Sequence, residues 1–275
     1  MNTNDSSYFR TWSAARIAYY RENPFRTNKR GPENVTCLMY CYWKDDVLLE
    51  KFPGFKLALY ETWRHFGLLK TIIVTDKKHD VINDFAEHYP NWVEIQIEDQ
   101  LVPGDINTLS IDCCLRLYSR FKTPYVLTVQ DDGFPLRSGI ERFIGHYDFI
   151  GAPWRRTNMF FQLAGFFIRH WPQNGGFSLR SKKICELVSH YWNRDWKDRP
   201  FCAEKQSEDI FYTQTLPNTY LSYRFKVNIA SSSVAAMFSY DASVPDNIKV
   251  CPIGFHNTLA FSQLMARYNF DFLNS

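Results

Sequence analysis

No unbroken apolar run in the sequence approaches the roughly 20 residues that a helix needs to cross a bilayer. Stretches such as residues 164–168 are among the longest, so no membrane span is expected. The opening Met1-Asn-Thr-Asn-Asp-Ser lacks the basic region and apolar run of a secretory signal, which points to the compartment of synthesis, the cytoplasm. Neither sign of charge dominates. With 32 Lys and Arg against 29 Asp and Glu the net charge is +3, and the basic residues are scattered; the basic stripe of a nucleic-acid partner is missing. The seven cysteines, Cys37, Cys41, Cys113, Cys114, Cys185, Cys202 and Cys251, are odd in number, and none are paired at the gap of a zinc knuckle. Reduced thiols are expected, with Cys37 and Cys41 as small buried hydrophobes on one face of a strand. Glycine cradles are absent too: no Gly-x-Gly-x-x-Gly follows the first apolar run and no Gly-Lys-Ser/Thr occurs, which argues against a dinucleotide oxidoreductase or a P-loop enzyme.

What the sequence holds in quantity is aromatic surface, 17% of residues, from 8 Trp, 16 Tyr and 23 Phe. Much of it must be core, and the remainder suits stacking on flat ligands or sugar rings. Residues 1–34, with Arg16, Tyr19, Tyr20, Arg21, Arg26, Lys29 and Arg30, read as a short helix and a linker ending at Gly31-Pro32. This basic, aromatic segment either touches a membrane surface or packs on the rest of the protein. From Val35 the pattern is strand (35–43), helix (47–66, closed by Gly67), strand (70–76), helix (80–88), strand (92–97), helix (107–121) and strand (124–130). That alternation predicts an α/β fold with a Rossmann-type parallel sheet and right-handed crossovers. The later rhythm is less regular, with a helix expected at 182–192, and nothing resembling a repeat or a low-complexity linker separates the halves. Residues 35–275 are therefore read as one domain with two lobes, 35–134 and 135–275.

Four places can carry chemistry. The fourth strand runs into Gln130-Asp131-Asp132-Gly133, at the carboxyl edge where open α/β sheets bind ligands. Adjacent acids there suit a hard divalent cation, and equally a polar Asp-Gly turn. Asn174-Gly175-Gly176-Phe177 precedes the 182–192 helix and reads as a turn opening onto it, either to admit a ligand or simply to cap. Ser207-Glu208-Asp209 has the form of an N-cap and first helical turn; such acids stabilise helices, and one poised there can also be a general base. His256 follows Gly254 and Phe255 near the end, where a lone histidine is either structural or a ligand.

In combination these elements resemble a GT-A glycosyltransferase. More narrowly, residues 147–154 (Tyr-Asp-Phe-Ile-Gly-Ala-Pro-Trp), 174–180 (Asn-Gly-Gly-Phe-Ser-Leu-Arg), 207–211 (Ser-Glu-Asp-Ile-Phe) and 253–256 (Ile-Gly-Phe-His) look like the DUF5672 family, and the likeness runs from about Val35 to Asn257. The resemblance implies a GT-A-like mixed sheet flanked by helices, with a nucleotide-binding lobe and an acceptor lobe. It implies an inverting transferase that takes a nucleoside-diphosphate sugar, UDP being the commonest donor nucleotide of this fold. The acceptor would be a glycan or lipid-linked glycan in surface polysaccharide assembly. It implies Mn²⁺ or Mg²⁺ held by Asp132 and His256, with Gln130 standing where the fold's first acid would lie. Asp209 corresponds to the base, with Glu208 close behind. Gln130, Asp131, Asn174, Gly175 and Gly176 would line the donor cleft, Trp154 or Trp171 could stack on a sugar, and Tyr40 and Thr75 are nucleotide-side candidates by position. A sugar- or nucleotide-binding protein without activity, or a glycoside hydrolase, are the alternatives.

Overall fold

The computed structural model describes residues 7–23, 25–154, 171–192, 207–241 and 250–268; Cys202, the 164–168 run and the first six residues lie outside them. Four of the expected strands form: β1 (Val35–Cys41), β2 (Lys70–Thr75), β3 (Val93–Ile97) and β4 (Tyr125–Thr128). They pair in parallel in the order β3-β2-β1-β4. Because such strands are covered on both faces they read as continuous apolar runs. In β1, Cys37, Met39 and Cys41 belong to the cluster on one face, while Leu38 joins the cluster on the other.

Helices α1 (Ser7–Glu22), α2 (Asp45–Phe66) and α3 (Asp80–His88) feed the first cluster, and α4 (Ile106–Leu115) and α5 (Leu117–Arg120) the second. α2 buries Leu48, Phe52, Phe55, Leu59, Trp63 and Phe66, the three- and four-residue spacing of a core-facing helix. Gly67 ends it with φ +85°, a left-handed conformation that favours glycine. The single helix expected at 107–121 is two, broken at Arg116 (φ −120°), whose guanidinium pairs with Glu98 at 2.7 Å.

The second half holds the larger departure. β5 (Phe149–Pro153) and β6 (Gln173–Ser181) extend the sheet beyond β4, and β6 runs antiparallel to both neighbours. Asn174-Gly175-Gly176 is thus part of a strand rather than the turn expected before α6 (Lys182–Tyr191). The strand pattern is masked by polar residues whose burial depends on partners elsewhere: Gln173 donates to the Ala230 carbonyl at 2.6 Å and accepts from the Gly151 N–H at 3.0 Å. Between Ile150 and Ala152 β5 advances two positions while β6 runs back five, from Leu179 to Asn174. The surplus residues bulge, and such bulges re-aim a strand locally.

Next come α7 (Glu208–Ile210), which continues as a wide π-helical turn over Phe211–Thr215, then α8 (Tyr220–Arg224) and α9 (Ser232–Phe238). A short parallel pair, β7 (Ser239–Asp241) and β8 (Gly254–His256), and then α10 (Thr258–Tyr268) complete the described chain. Among the described residues no helix is long and apolar enough to cross a membrane.

α1 is stitched to this body. Trp12 is buried against Phe134 and Phe261, and Arg16 donates to Glu61 Oε1 from Nε (3.0 Å) and Nη2 (2.7 Å), with the Tyr20 hydroxyl on the same oxygen at 3.0 Å. Burial pushes the Glu61 carboxyl up, but His65, Arg16 and Arg64 together hold it down at about 2. A depressed carboxyl stabilises above its unfolded value of 4.5, and that contribution fades as pH falls from there through about 2. Arg16→Met, which strands the buried carboxylate, should lower the unfolding free energy by roughly 3–5 kcal/mol at neutral pH. Urea titrations between pH 5 and 2 should show the variant losing less stability on acidification than the wild type.

Candidate active site

The strand order reverses between β1 and β4, and crevices for ligands open above the carboxyl ends of strands at such a switch point. β4 ends there in a tight hairpin: Gln130 N–H donates to the Gly133 carbonyl and Gly133 N–H to the Gln130 carbonyl, both at 3.1 Å. Asp131 and Asp132 therefore form the tip of the turn. β8 brings His256 to it across 126 positions of sequence, with Nε2 3.0 Å from Gln130 Oε1 and 3.7 Å from Asp132 Oδ1. Behind the ring, Nδ1 faces Asp241 Oδ2 at 3.8 Å. Asn257, in a left-handed conformation (φ +73°), locks the corner. Its N–H donates to the Asp132 carbonyl (2.8 Å), its Nδ2 to Asp241 Oδ1 (2.9 Å), and its Oδ1 caps α10 at the Ala260 N–H (2.9 Å).

The charges respond to this crowding. Burial, then the Asp132 carboxylate, raise the Asp131 carboxyl to about 6, against Lys51 of α2, whose Nζ stands 3.9 Å away. Burial lowers the basicity of His256, but Asp241, Asp132 and Glu208 outweigh it and the ring is more basic than usual. Tyr42, just beyond β1, is pushed up to about 12 by burial and by the carboxylates of Asp131, Glu208 and Asp132.

The second group lies across β6. Glu208 Oε1 receives Arg180 Nη2 at 3.4 Å, and its Oε2 the hydroxyls of Ser110 and Ser207, each at 3.4 Å. Ser207 precedes the helical turn as expected, yet its hydroxyl makes no capping bond. Asp209 is buried, and burial followed by the neighbouring Glu208 drives its carboxyl well above the ordinary range.

The two glycines make both groups possible. A Cβ on Gly176 would overlap the His256 ring and Gln130 Oε1, and one on Gly175 would overlap Arg180, Asp209 and Glu208. Asn174 braces the bulge, its Oδ1 accepting from the Gly176 N–H at 2.7 Å. The nucleotide-side candidates are engaged elsewhere: the Tyr40 hydroxyl donates to Asp112 at 2.7 Å, and Thr75 is buried with its hydroxyl 3.4 Å from Asp76. The Trp171 indole N–H donates to the Trp154 carbonyl at 2.5 Å.

Family membership follows from a direct match. The family described as "Protein of unknown function (DUF5672)" matches residues 104–256, over half of the 275 residues. The chain belongs to the DUF5672 family. This DUF5672 chain has no match among curated proteins. Its fold is similar to that of mouse xyloside xylosyltransferase 1 in its apo form, with TM-score 0.51, 10% identity, and 82% of this chain and 98% of that one covered. It is also similar to core-mannan synthase A from Aspergillus fumigatus in its Mn/GDP form, with TM-score 0.50, 9% identity, and 71% and 72% covered. At such identities the likeness shows the fold, which is GT-A: a mixed six-stranded sheet flanked by helices.

A divalent cation, implied by that fold, can be tested against the side chains present. A carboxylate oxygen of Asp132, an imidazole nitrogen of His256 and the amide oxygen of Gln130 are donors that Mn²⁺ accepts. The buried His256 Nδ1 has no hydrogen-bond partner and stands 3.8 Å from Asp241 Oδ2, on the side from which a hydrogen-bonded carboxylate would orient a ligating imidazole. Among the described residues no three His, Cys, Asp or Glu side chains form a complete cage. The donor set fits a cation that shares its coordination with phosphate oxygens of a substrate.

Gly176→Ala tests the close approach. Overpacking of this kind costs about 1–3 kcal/mol, and the ring that must yield is His256. The variant should melt earlier than wild type, and its His256 imidazole NMR signals should move, while a change at exposed Gly145, where an added Cβ meets nothing, should leave those signals in place.

Proposed function

We propose that the chain is a metal-dependent inverting glycosyltransferase that moves a sugar from a nucleoside-diphosphate donor to a hydroxyl of a glycan or lipid-linked glycan. The observation that carries this reading is the convergence of Asp132 and His256, 3.7 Å apart, at the switch point of a GT-A sheet. Bound by Asp132 and His256 with Gln130 beside them, Mn²⁺ or Mg²⁺ would supply Lewis-acid stabilisation for the charge that gathers on a leaving diphosphate.

The chain's own residues do the rest. The Glu208–Asp209 pair removes the proton of the acceptor hydroxyl. That oxygen bonds to the anomeric carbon as the carbon–oxygen bond to the diphosphate breaks, and the electron pair leaves with the diphosphate. A single displacement inverts the configuration. Residues 174–177 wall the donor cleft, and half-buried Trp154 offers a ring face to a sugar. Tyr40 and Thr75, nucleotide-side candidates by their position at the ends of β1 and β2, have hydroxyls already bonded to Asp112 and Asp76, so only the Tyr40 ring is left to contribute, and Tyr42 is added to the candidates. UDP is the expected donor nucleotide, and the Mn/GDP form of core-mannan synthase A adds GDP to those worth testing. Surface polysaccharide assembly in the cytoplasm suits a lipid-linked acceptor. For peripheral membrane contact α1 and its linker have Tyr19, Arg21, Arg26, Lys29 and Arg30 to offer, since Trp12 and Arg16 are buried.

Thermal unfolding with UDP or GDP, with and without Mn²⁺, is the direct test. At 100 times its dissociation constant a ligand adds about 2.7 kcal/mol, roughly 5–10 °C for a chain of this size. The rise should need nucleotide and metal together, and Asp132→Asn should remove it. No rise with any nucleoside diphosphate in the presence of metal would sink the reading.

A further inference from the structure

Arg180 is the cation least accounted for by stability. It lies in β6 with 1% exposure, and its guanidinium is stacked over Tyr212 (4.6 Å to the ring centroid) and Phe149 (5.2 Å). Nε donates to Ser178 Oγ at 3.0 Å, and Nη2 to the Gly175 carbonyl at 3.3 Å and Glu208 Oε1 at 3.4 Å. Nη1 is buried without a hydrogen-bond partner. A buried, incompletely bonded cation is a weak source of stability, so its place beside two acids calls for another account.

The two acids are not treated alike. The Glu208 carboxylate is met by donors on both oxygens: Arg180 Nη2 on Oε1, and the hydroxyls of Ser110 and Ser207 on Oε2. Asp209 Oδ1, by contrast, is buried with no donor. Two adjacent carboxyls facing one cation do not both ionise cheaply. The other titratable groups around them leave the balance to Arg180. The thiols of Cys113 and Cys114 on α4 and of Cys185 on α6, and the Tyr212 phenol, are all held neutral by burial. Tyr42 and His256 sense Glu208 from the ends of β1 and β8.

We propose that Arg180 is the positioning residue of the transfer site: wedged between Tyr212 and Phe149, it holds Glu208 as the carboxylate that takes the acceptor proton and leaves the pair's own proton on Asp209. The role of Glu208 as base rests on the glycosyltransferase reading; the protonation of the pair does not. Burial and the Glu208 carboxylate raise the Asp209 carboxyl and outweigh the opposing pull of Arg180 and the Gly175 N–H. This reverses the order expected from sequence, where Asp209 came first.

Carboxyl ¹³C NMR titration of the ligand-free protein is the test, with Glu208→Gln and Asp209→Asn assigning each signal by its disappearance. At pH 7 wild-type Asp209 should be protonated, and in Glu208→Gln the Asp209 midpoint should fall. Arg180→Met should shift the Glu208 carboxyl resonance at neutral pH, and Arg180→Lys should restore most of the difference. An ionised Asp209 at pH 7 in wild type, which needs no Arg180 variant to fold, would overturn the proposal, as would an unmoved Glu208 resonance in a folded Arg180→Met. In transfer assays Glu208→Gln should lose at least 100-fold and Asp209→Asn far less; the opposite order would also overturn it. The expected titrations with no transfer from any nucleotide sugar would instead remove the glycosyltransferase reading and leave Arg180's control of the pair intact.

Discussion

The site depends on two consecutive positions in β6 that carry no side chain. Gly176 leaves the space that the His256 ring and Gln130 fill, and Gly175 leaves the space for Arg180, Glu208 and Asp209. As successive strand residues these neighbours face different groups, so one dipeptide keeps the Gln130–His256 contact and the Glu208–Asp209 pair apart yet adjacent. The Gly175 carbonyl adds to the anchorage by accepting the Thr128 hydroxyl at 2.6 Å, the Ser178 hydroxyl at 2.9 Å and Arg180 Nη2 at 3.3 Å. A side chain at either glycine would first meet these side chains rather than the sheet backbone.

The parallel half of the fold was legible because its strands are sealed on both faces and its helices carry their apolar stripe openly. Val35–Cys41 and Lys70–Thr75 announce themselves in composition. β6 does not, because Gln173, Ser178 and Arg180 are buried on the strength of bonds to Ala230, Thr128 and Glu208. Those partners lie far away in sequence, and Gly-Gly in isolation is ordinary turn chemistry. In sequence the strand therefore reads as a turn.

The same distinction runs through the site. The Asp131–Asp132 turn and the Glu208–Asp209 pair stand out locally as a strand end and a helix start, whereas His256 stands out only through the order of motifs that carries the family resemblance. Arg180 has no role legible in the 174–180 motif, since nothing local shows that a basic residue between Leu179 and Ser181 faces inward. Tyr42 and Asp241 had no signal at all: their parts depend on the Asp131–Asp132 turn and the His256 ring arriving from elsewhere. Tyr40 had position in its favour, but its hydroxyl belongs to a structural network in which Asp112 also pairs with Arg120.

On the glycosyltransferase proposal, the charge distribution makes a diphosphate and a cation bind together. Asp131, Asp132, Asp241 and Glu208 lie around the site, and among the described residues Lys51 pairs with Asp131 while Arg180 is committed to Glu208. A diphosphate brought alone into such a field would be repelled, and a cation alone would find two side-chain ligands from Asp132 and His256 and an amide. Each supplies what the other lacks: the anion completes the coordination, and the metal cancels the repulsion. Gln130 fits this logic. A third carboxylate at the turn would push the Asp131 carboxyl, already raised to about 6, further from ionisation, whereas a neutral amide leaves the charge of Asp132 available and still offers an oxygen.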